Sequence, residues 1–326
     1  MPSNHWLRLA AACLCAACFT QAGAQGFPAR PVKFVVGFAP GGGGDVIARL
    51  VATKLPDFLQ QQIVVENRPG ATGTVAANQV AKSPPDGYTL LIGATSTNAI
   101  APSLYANLPY NNEKDLAGVT LLASLPNLVV VHPSMGIHSL RELITYAKAN
   151  PGRLSFPSAG NGSTPHLAGE LFKMLTGTNL VHIPYKGAGQ SVSDLLSGEV
   201  KVSFDTTGTI INYVNTGRLR ALAIATPKRF PLIPDVPTAA EAGLAGYEVA
   251  TWIGLFAPAA TPRPIVQRLH ADIARVLALP EIRDRLKNQF GCDDTATDSP
   301  EAFDRVVKTD TENYAKLIKS LKIAVE

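Results

Sequence analysis

The residues able to do chemistry gather in two glycine loops. The first is Ala39-Pro40-Gly41-Gly42-Gly43-Gly44-Asp45, and the second is Ser158-Ala159-Gly160-Asn161-Gly162-Ser163-Thr164-Pro165-His166. Each follows an apolar, strand-like run and leads into a helical pattern. Glycine permits a sharp turn and lets another molecule approach the backbone amides. The opening turn of a helix leaves N–H groups without intrahelical partners, at the positive end of the dipole. A strand, a glycine loop and a helix in that order make a cradle for an anion. Hydroxyls and amides at Ser158, Asn161, Ser163 and Thr164 add further contacts in the second loop. Each loop alone reads equally well as a tight strand-to-helix turn, with Asp45 complementing a helix dipole.

Other chemistries fail on spacing. Gly-x-Gly-x-x-Gly breaks at Val46, and no Lys-Ser or Lys-Thr follows the glycines, so neither nucleotide fingerprint is present. Gly-x-Ser-x-Gly does not occur. Ser163 and His166 stand too close in sequence to make an oriented triad without a third partner. His166 and Glu170 share a helix face, but no His-Glu-x-x-His accompanies them, so they read as a hydrogen-bonded pair rather than metal ligands. His132 and His182 fall in strands and read as core histidines satisfied by backbone carbonyls. Four residues at strand ends each keep two readings. Thr95 and Ser96 contact a ligand or cap a helix, and Asp205 binds a ligand donor or caps the next element. Trp252 walls a cleft or fills the core. No nucleophile is assembled with a base, and no cofactor or metal is called for. Backbone amides and hydroxyls at helix starts suit reversible capture of a carboxylate, which points to binding rather than catalysis.

The elements that position these loops alternate almost throughout. Val32 to Phe38 and Ile63 to Glu66 read as strands, followed by a helix from Val75 to Ala81. Tyr88 to Gly93 is a third strand, ending in a polar loop, Ala94 to Asn98. Further strands are expected at Leu121 to Ser124 and Leu128 to His132, then a helix capped by Ser139. Leu154 to Phe156 leads into the second loop, and Pro165 opens its helix. Val181 to Gly187, an alternating Val200 to Phe204, and Leu222 to Ala225 are strands, with a loop at Asp205 to Gly208. An apolar run, Val249 to Phe256, precedes three helices: Ile265 to Leu277, Pro280 to Asn288 and Pro300 to Leu321. Val- and Ile-rich strands alternating with helices imply an α/β fold with largely parallel sheets, two of them. Ligands of such sheets bind beyond the carboxyl ends of the strands.

Composition sets the remaining bounds. The first 24 residues read as a cleavable export signal, with an apolar stretch from Leu9 to Phe19 and Ala22-Gly23-Ala24 as the cleavage site. Cys13, Cys15 and Cys18 leave with it, so Cys292 is the single cysteine of the exported chain and no disulfide framework exists. The remaining 28 Lys and Arg against 25 Asp and Glu are too balanced to argue for nucleic acid. No later apolar run approaches the roughly 18 residues of a membrane span.

The sequence resembles the exported solute receptors of tripartite tricarboxylate transporters, the Bug-type family, over essentially the whole exported chain. Its carriers include Phe38 to Asp45, Val65-Glu66-Asn67-Arg68-Pro69-Gly70-Ala71 and Pro85-Asp86-Gly87-Tyr88-Thr89-Leu90. They continue with Gly160 to Glu170, Val181-His182-Ile183-Pro184-Tyr185-Lys186-Gly187 and Asp235-Val236-Pro237-Thr238. The resemblance implies a two-domain clam shell of the periplasmic-binding-protein type, working in the periplasm as a monomer. It implies an organic acid held between the domains, one carboxylate lying at the two glycine loops, and delivery to two integral membrane subunits. A co-receptor for a membrane sensor and an exported hydrolase using Ser163 and His166 are the alternatives. Many relatives carry a hydroxyl residue where this chain has Gly44. Two loops that face each other must come from different domains, so the chain is expected to divide into 25–125 plus 251–326 and 126–250. The runs at Leu128 to His132 and Val249 to Phe256 would carry the chain across and back.

Overall fold

A computed structural model describes residues 26–292, 295–321 and 323. The expected export signal, its expected cleavage site and Cys13, Cys15 and Cys18 lie outside the described residues. No helix among those described is long and apolar enough to cross a membrane.

Three strands set the first half of the fold: β1 (Val32–Val36), β2 (Ile63–Asn67) and β3 (Thr89–Ala94). They pair in parallel, in the order β2-β1-β3. Helices α1 (Gly43–Lys54) and α2 (Thr74–Ala81) are their crossovers. Phe34, Ile47, Val51, Leu90 and Ile92 are buried together in the core between this sheet and α1. Runs buried on both faces are what a sheet covered by helices requires.

The chain then enters β4 (Leu116–Val131), a strand of 16 residues, where the sequence predicts two separate strands. Pro126 gives the sequence its apparent break. Proline survives inside a strand where no ladder N–H is needed, and here it stands where β4 changes partners. Leu116 to Pro126 pair with β9 (Ala250–Pro258), whereas Asn127 to Val131 pair with β7 (Val202–Thr206). Beyond Pro126, β8 (Arg220–Ile224) lines the other edge of β4. The main sheet is therefore mixed, because β9 runs antiparallel to both β3 and β4. β5 (Ser155–Ser158) and β6 (Val181–Pro184) form a separate parallel pair.

The second half has its own core. Phe156, Phe172, Phe204 and Tyr247 pack on one face of β7, and Leu128, Val130, Ile210 and Ile224 form a cluster of their own. This explains why β7 is buried at every residue instead of alternating. Its helices are α3 (Leu140–Ala149), α4 (Thr164–Thr176), α5 (Ala188–Ser197) and α6 (Thr207–Asn215). Ser139 caps α3 as its sequence predicts, its side chain accepting from the Glu142 N–H. Helices α7 (Arg263–Ala278), α8 (Pro280–Phe290) and α9 (Pro300–Leu321) close the chain. Cys292 is buried in the first core. The far end of α9 reaches the second half, where Ser320 Oγ lies 3.7 Å from Met174 Sδ of α4.

Two expected loops are absent as such. Ala94 to Asn98 passes directly into a π-helical turn, Ser96–Ile100, and β7 runs straight through Asp205 into α6. In both places the polar residues occupy a helix start, where side chains that bond backbone are favoured anyway.

Candidate functional site

The first glycine loop joins β1 to α1. Gly41 adopts a φ of +81°, which favours glycine, and a β-carbon on Gly44 would come within 2.9 Å of Phe38 Cδ2, so a side chain there would have to displace the Phe38 ring. Gly42 is the N-cap of α1, with φ −70° and no side-chain cap. The amides of Gly43 and Gly44 in this first turn therefore have no capping oxygen from the N-cap side chain.

Asp45 does not present its carboxylate as a ligand contact. It turns back on the loop, accepting from Gly41 N (2.9 Å), Arg49 Nε (3.0 Å) and Asn67 Nδ2 (2.8 Å). Asn67 Nδ2 also donates to Phe38 O, and Arg49 Nη2 reaches Asn67 Oδ1. Burial pushes the Asp45 carboxyl up, but the bonds from Arg49, Gly41 and Asn67 outweigh it and hold it below the usual range. Arg49 also cancels its charge beside the first loop. Sequence reading missed both partners. The four-residue spacing of Asp45 and Arg49 was a usable signal; Asn67, on another strand, was not.

The second loop joins β5 to α4. Ser163 is the N-cap, again with no side-chain cap bond, because its Oγ donates to Gly160 O at 2.7 Å. Ser158 Oγ meets His182 Nε2 at 2.7 Å and accepts from Gly160 N. His166 Nδ1 accepts from Gly162 N at 3.1 Å, and its ring stacks on His182 with centroids 4.0 Å apart. Burial lowers both histidines, and the His166 ring adds to the effect on His182, which falls to about 3. Both are neutral near pH 7. His182 thus bonds a serine rather than a carbonyl, and His132 bonds Ser134, so the expected carbonyl partners are not the ones found. Ser163 has no hydrogen bond to His166, which leaves no base to activate its hydroxyl. No group of three potential metal ligands occurs among the described residues.

The strand-end residues divide in the same way. Thr95 is fully buried, and its Oγ1 accepts from Trp252 N at 2.8 Å, tying β3 to β9. Ser96 opens the π turn. The Trp252 indole packs edge-on to Phe303 and donates to Asp310, which makes it core rather than a cleft wall. Asp205 accepts from Thr206 N at 2.7 Å at the start of α6, and burial pushes its carboxyl up to about 6. Asn161 and Thr164 lie in the second loop and the first turn of α4.

The structure brings the second loop against the first half of the molecule. A β-carbon on Gly162, at φ +78°, would overlap Leu104 and lie 4.0 Å from Thr72 Cγ2. Thr72 and its neighbour Ala71 hold positive φ values of 53° and 43°, unusual for residues with side chains. Thr72 O accepts from Thr97 Oγ1, and its own Oγ1 lies 3.3 Å from Tyr105 Oη. Neither Thr72 nor Leu104 was singled out by sequence, since only the fold places them opposite Gly162. Two cavities, about 240 and 370 Å³, lie elsewhere, and no residue of either glycine loop lines them.

Residues 47–323 match the family model described as "Tripartite tricarboxylate transporter family receptor". A "UPF0065 protein in tcbD-tcbE intergenic region" from Pseudomonas sp. (strain P51) is 40% identical over 298 residues, 91% of this chain and 88% of that protein. Among solved structures, R. palustris Rpa4515 with adipate is 36% identical, with a TM-score of 0.86, covering 91% of this chain and 99% of that one. The periplasmic binding protein BugD is 34% identical, with a TM-score of 0.84, covering 92% and 100%.

Proposed function

The chain belongs to the tripartite tricarboxylate transporter receptor family, and from that premise we propose that it captures a small organic carboxylate between two lobes and delivers it to two integral membrane subunits. The lobes are residues 25–125 with 251–326, and residues 126–250. The protein works as an exported monomer in the periplasm, freed of its first 24 residues, and is not an enzyme. The carboxylate is held by the amides of Gly43, Gly44 and Thr164, because those of Gly41, Gly42, Gly162 and Ser163 already donate within their own loops; Ala39, Ser96, Ser158, Asn161 and His166 shape the same pocket. Asp45, Thr95 and Asp205 support it from behind or at its edge.

One observation carries this reading: the helices after β1 and β5 both begin at N-caps without side-chain capping bonds, Gly42 and Ser163. Two such starts facing one carboxylate supply several N–H donors and two aligned dipoles. Micromolar affinity requires about 8 kcal/mol. Charge-assisted hydrogen bonds at about 1.5–3 kcal/mol each account for much of it, less the cost of immobilisation. Because Asp45 neutralises the nearby Arg49, affinity rests on oriented dipoles and depends modestly on salt.

Native mass spectrometry of the undialysed protein, followed by calorimetric titration with di- and tricarboxylates including adipate, tests the proposal. A retained or titrated acid is expected, together with a smaller radius of gyration by small-angle scattering when it is bound. Binding of none of these acids, or ester hydrolysis lost on Ser163→Ala, would contradict it.

A further inference from the structure

The paired strands β4 and β9, where they pass between the starts of α1 and α6, carry polar atoms that nothing in the fold satisfies. Leu125 and Thr251 stand directly opposite on β4 and β9 and so share a face, and Ile253 and Asn127, each two residues along, share it too. A β-carbon on Gly43, in the first turn of α1, would lie 4.0 Å from Ile253 Cδ1; one on Gly208, in the first turn of α6, would lie 3.1 Å from Leu125 Cδ1. Thr251 therefore sits between a helix start of one half and a helix start of the other. Asn127 lies beside it, where β4 changes partners.

Both residues end in a buried oxygen without a hydrogen-bond partner: Asn127 Oδ1 and Thr251 Oγ1. Asn127 is fully buried. Its amide orientation is fixed, because Nδ2 donates to Phe204 O at 3.1 Å and the flipped amide would set oxygen against oxygen. What remains is an acceptor. Buried acceptors of this kind are nearly always paired in folded proteins, so an orphan at a ligand site calls for a donor from outside the chain. A second carboxylate placed here would meet Asn127 Oδ1 with nothing to donate. A hydroxyl or ammonium group would be satisfied.

We propose that the ligand carries a hydroxyl or amino group beside its carboxylate, and that Asn127 Oδ1, with Thr251 Oγ1 next to it, is the acceptor that selects for this group. This rests on the carboxylate-receptor reading and narrows its substrate class. A site built to pair with a donor discriminates against the analogue lacking it, because its own polar atom is then left unpaired.

Matched acids test it by calorimetric titration: L-malate against succinate, L-glutamate against glutarate, and citrate against tricarballylate. The parent is expected to bind the donor-bearing member of at least one pair about 10-fold more tightly or better. Thr251→Val, which keeps the shape and the strand preference, and Asn127→Leu should each bring that ratio toward one while plain carboxylates bind as before. Thermal melts check both variants, and Thr251→Val carries the test should Asn127→Leu prove unstable. Equal affinity within every pair in the parent would show that water satisfies these oxygens and would overturn the inference while leaving the receptor reading intact. A ratio that survives both substitutions would also overturn it. Failure of all six acids to bind would instead remove the carboxylate reading, and this inference with it.

Discussion

Replacing Gly162 by alanine separates the closing of the lobes from the stability of each. The residue has a φ of +78°, and the added β-carbon would overlap the Leu104 side chain. These are two distinct penalties. Left-handed backbone costs a residue with a side chain about 1–2 kcal/mol whether the lobes are open or closed. If Gly162 and Leu104 belong to different lobes, as proposed above, the overlap arises only on closure. Overpacking costs typically about 1–3 kcal/mol, and here the obstacle is the tip of a flexible leucine, so about 1–2 kcal/mol is the fitting range. The first penalty lowers the ligand-free melting temperature by a few degrees. The second is charged against binding and weakens affinity by about 5- to 30-fold. Leu104→Ala in the same molecule removes the overlap but not the backbone strain. Affinity should recover in the double mutant while the loss in melting temperature stays. Calorimetric titration and ligand-free melts of the four proteins complete the cycle. An unchanged affinity in Gly162→Ala despite a lower melting temperature, or a loss that Leu104→Ala does not relieve, would refute the reasoning.

Ser163→Ala removes the bond to Gly160 O and should weaken carboxylate binding by about 1 kcal/mol, roughly fivefold, by titration, with no ester hydrolysis before or after. Asp45→Asn should loosen the first loop. Because the parent carboxyl sits below its unfolded value, its contribution is present above about pH 4 and is lost as pH falls through the folded value; acid melts of the parent should steepen there and those of the variant should not. His182 behaves in the opposite chemical sense with the same direction in pH. Burial, with the His166 charge next, lowers it to about 3, so the unfolded chain takes up the proton first and stability declines from about pH 6.5 down toward pH 3. His182→Gln, which keeps a polar partner for Ser158, should flatten that part of a melting-temperature profile.

The order of strands and helices was legible because Val- and Ile-rich runs and glycine or proline breaks mark elements that are buried on both faces. The two strand-to-helix junctions with their glycine loops were legible for the same reason. What the sequence concealed depends on partners far apart in the chain. Pro126 looked like the end of a strand, yet it is the point where one long strand passes from β9 to β7. Asp45 looked like a dipole partner or ligand contact, and only Asn67 on the neighbouring strand reveals it as the tie of its own loop. The stack of His166 on His182 joins α4 to β6, and no local pattern encodes it. Trp252 kept two readings until Asp310 and Phe303, both on α9, settled it as core.

The central claim is that the amides at the start of α1 hold the ligand's carboxylate, and Gly42→Asp tests it most directly. Gly42 has φ −70°, and a β-carbon there would lie 3.2 Å from Ala39 O and 3.7 Å from Phe38 Cβ, so a side chain fits with little adjustment. An aspartate at the N-cap would accept from those amides itself and set its charge where the ligand's charge belongs. Gly42→Ala supplies the same bulk without the charge. Titration with the retained acid is expected to show binding by Gly42→Ala and none by Gly42→Asp, with Gly42→Asp melting at or above the alanine variant. Gly42→Asp binding the acid as tightly as the parent would contradict the account.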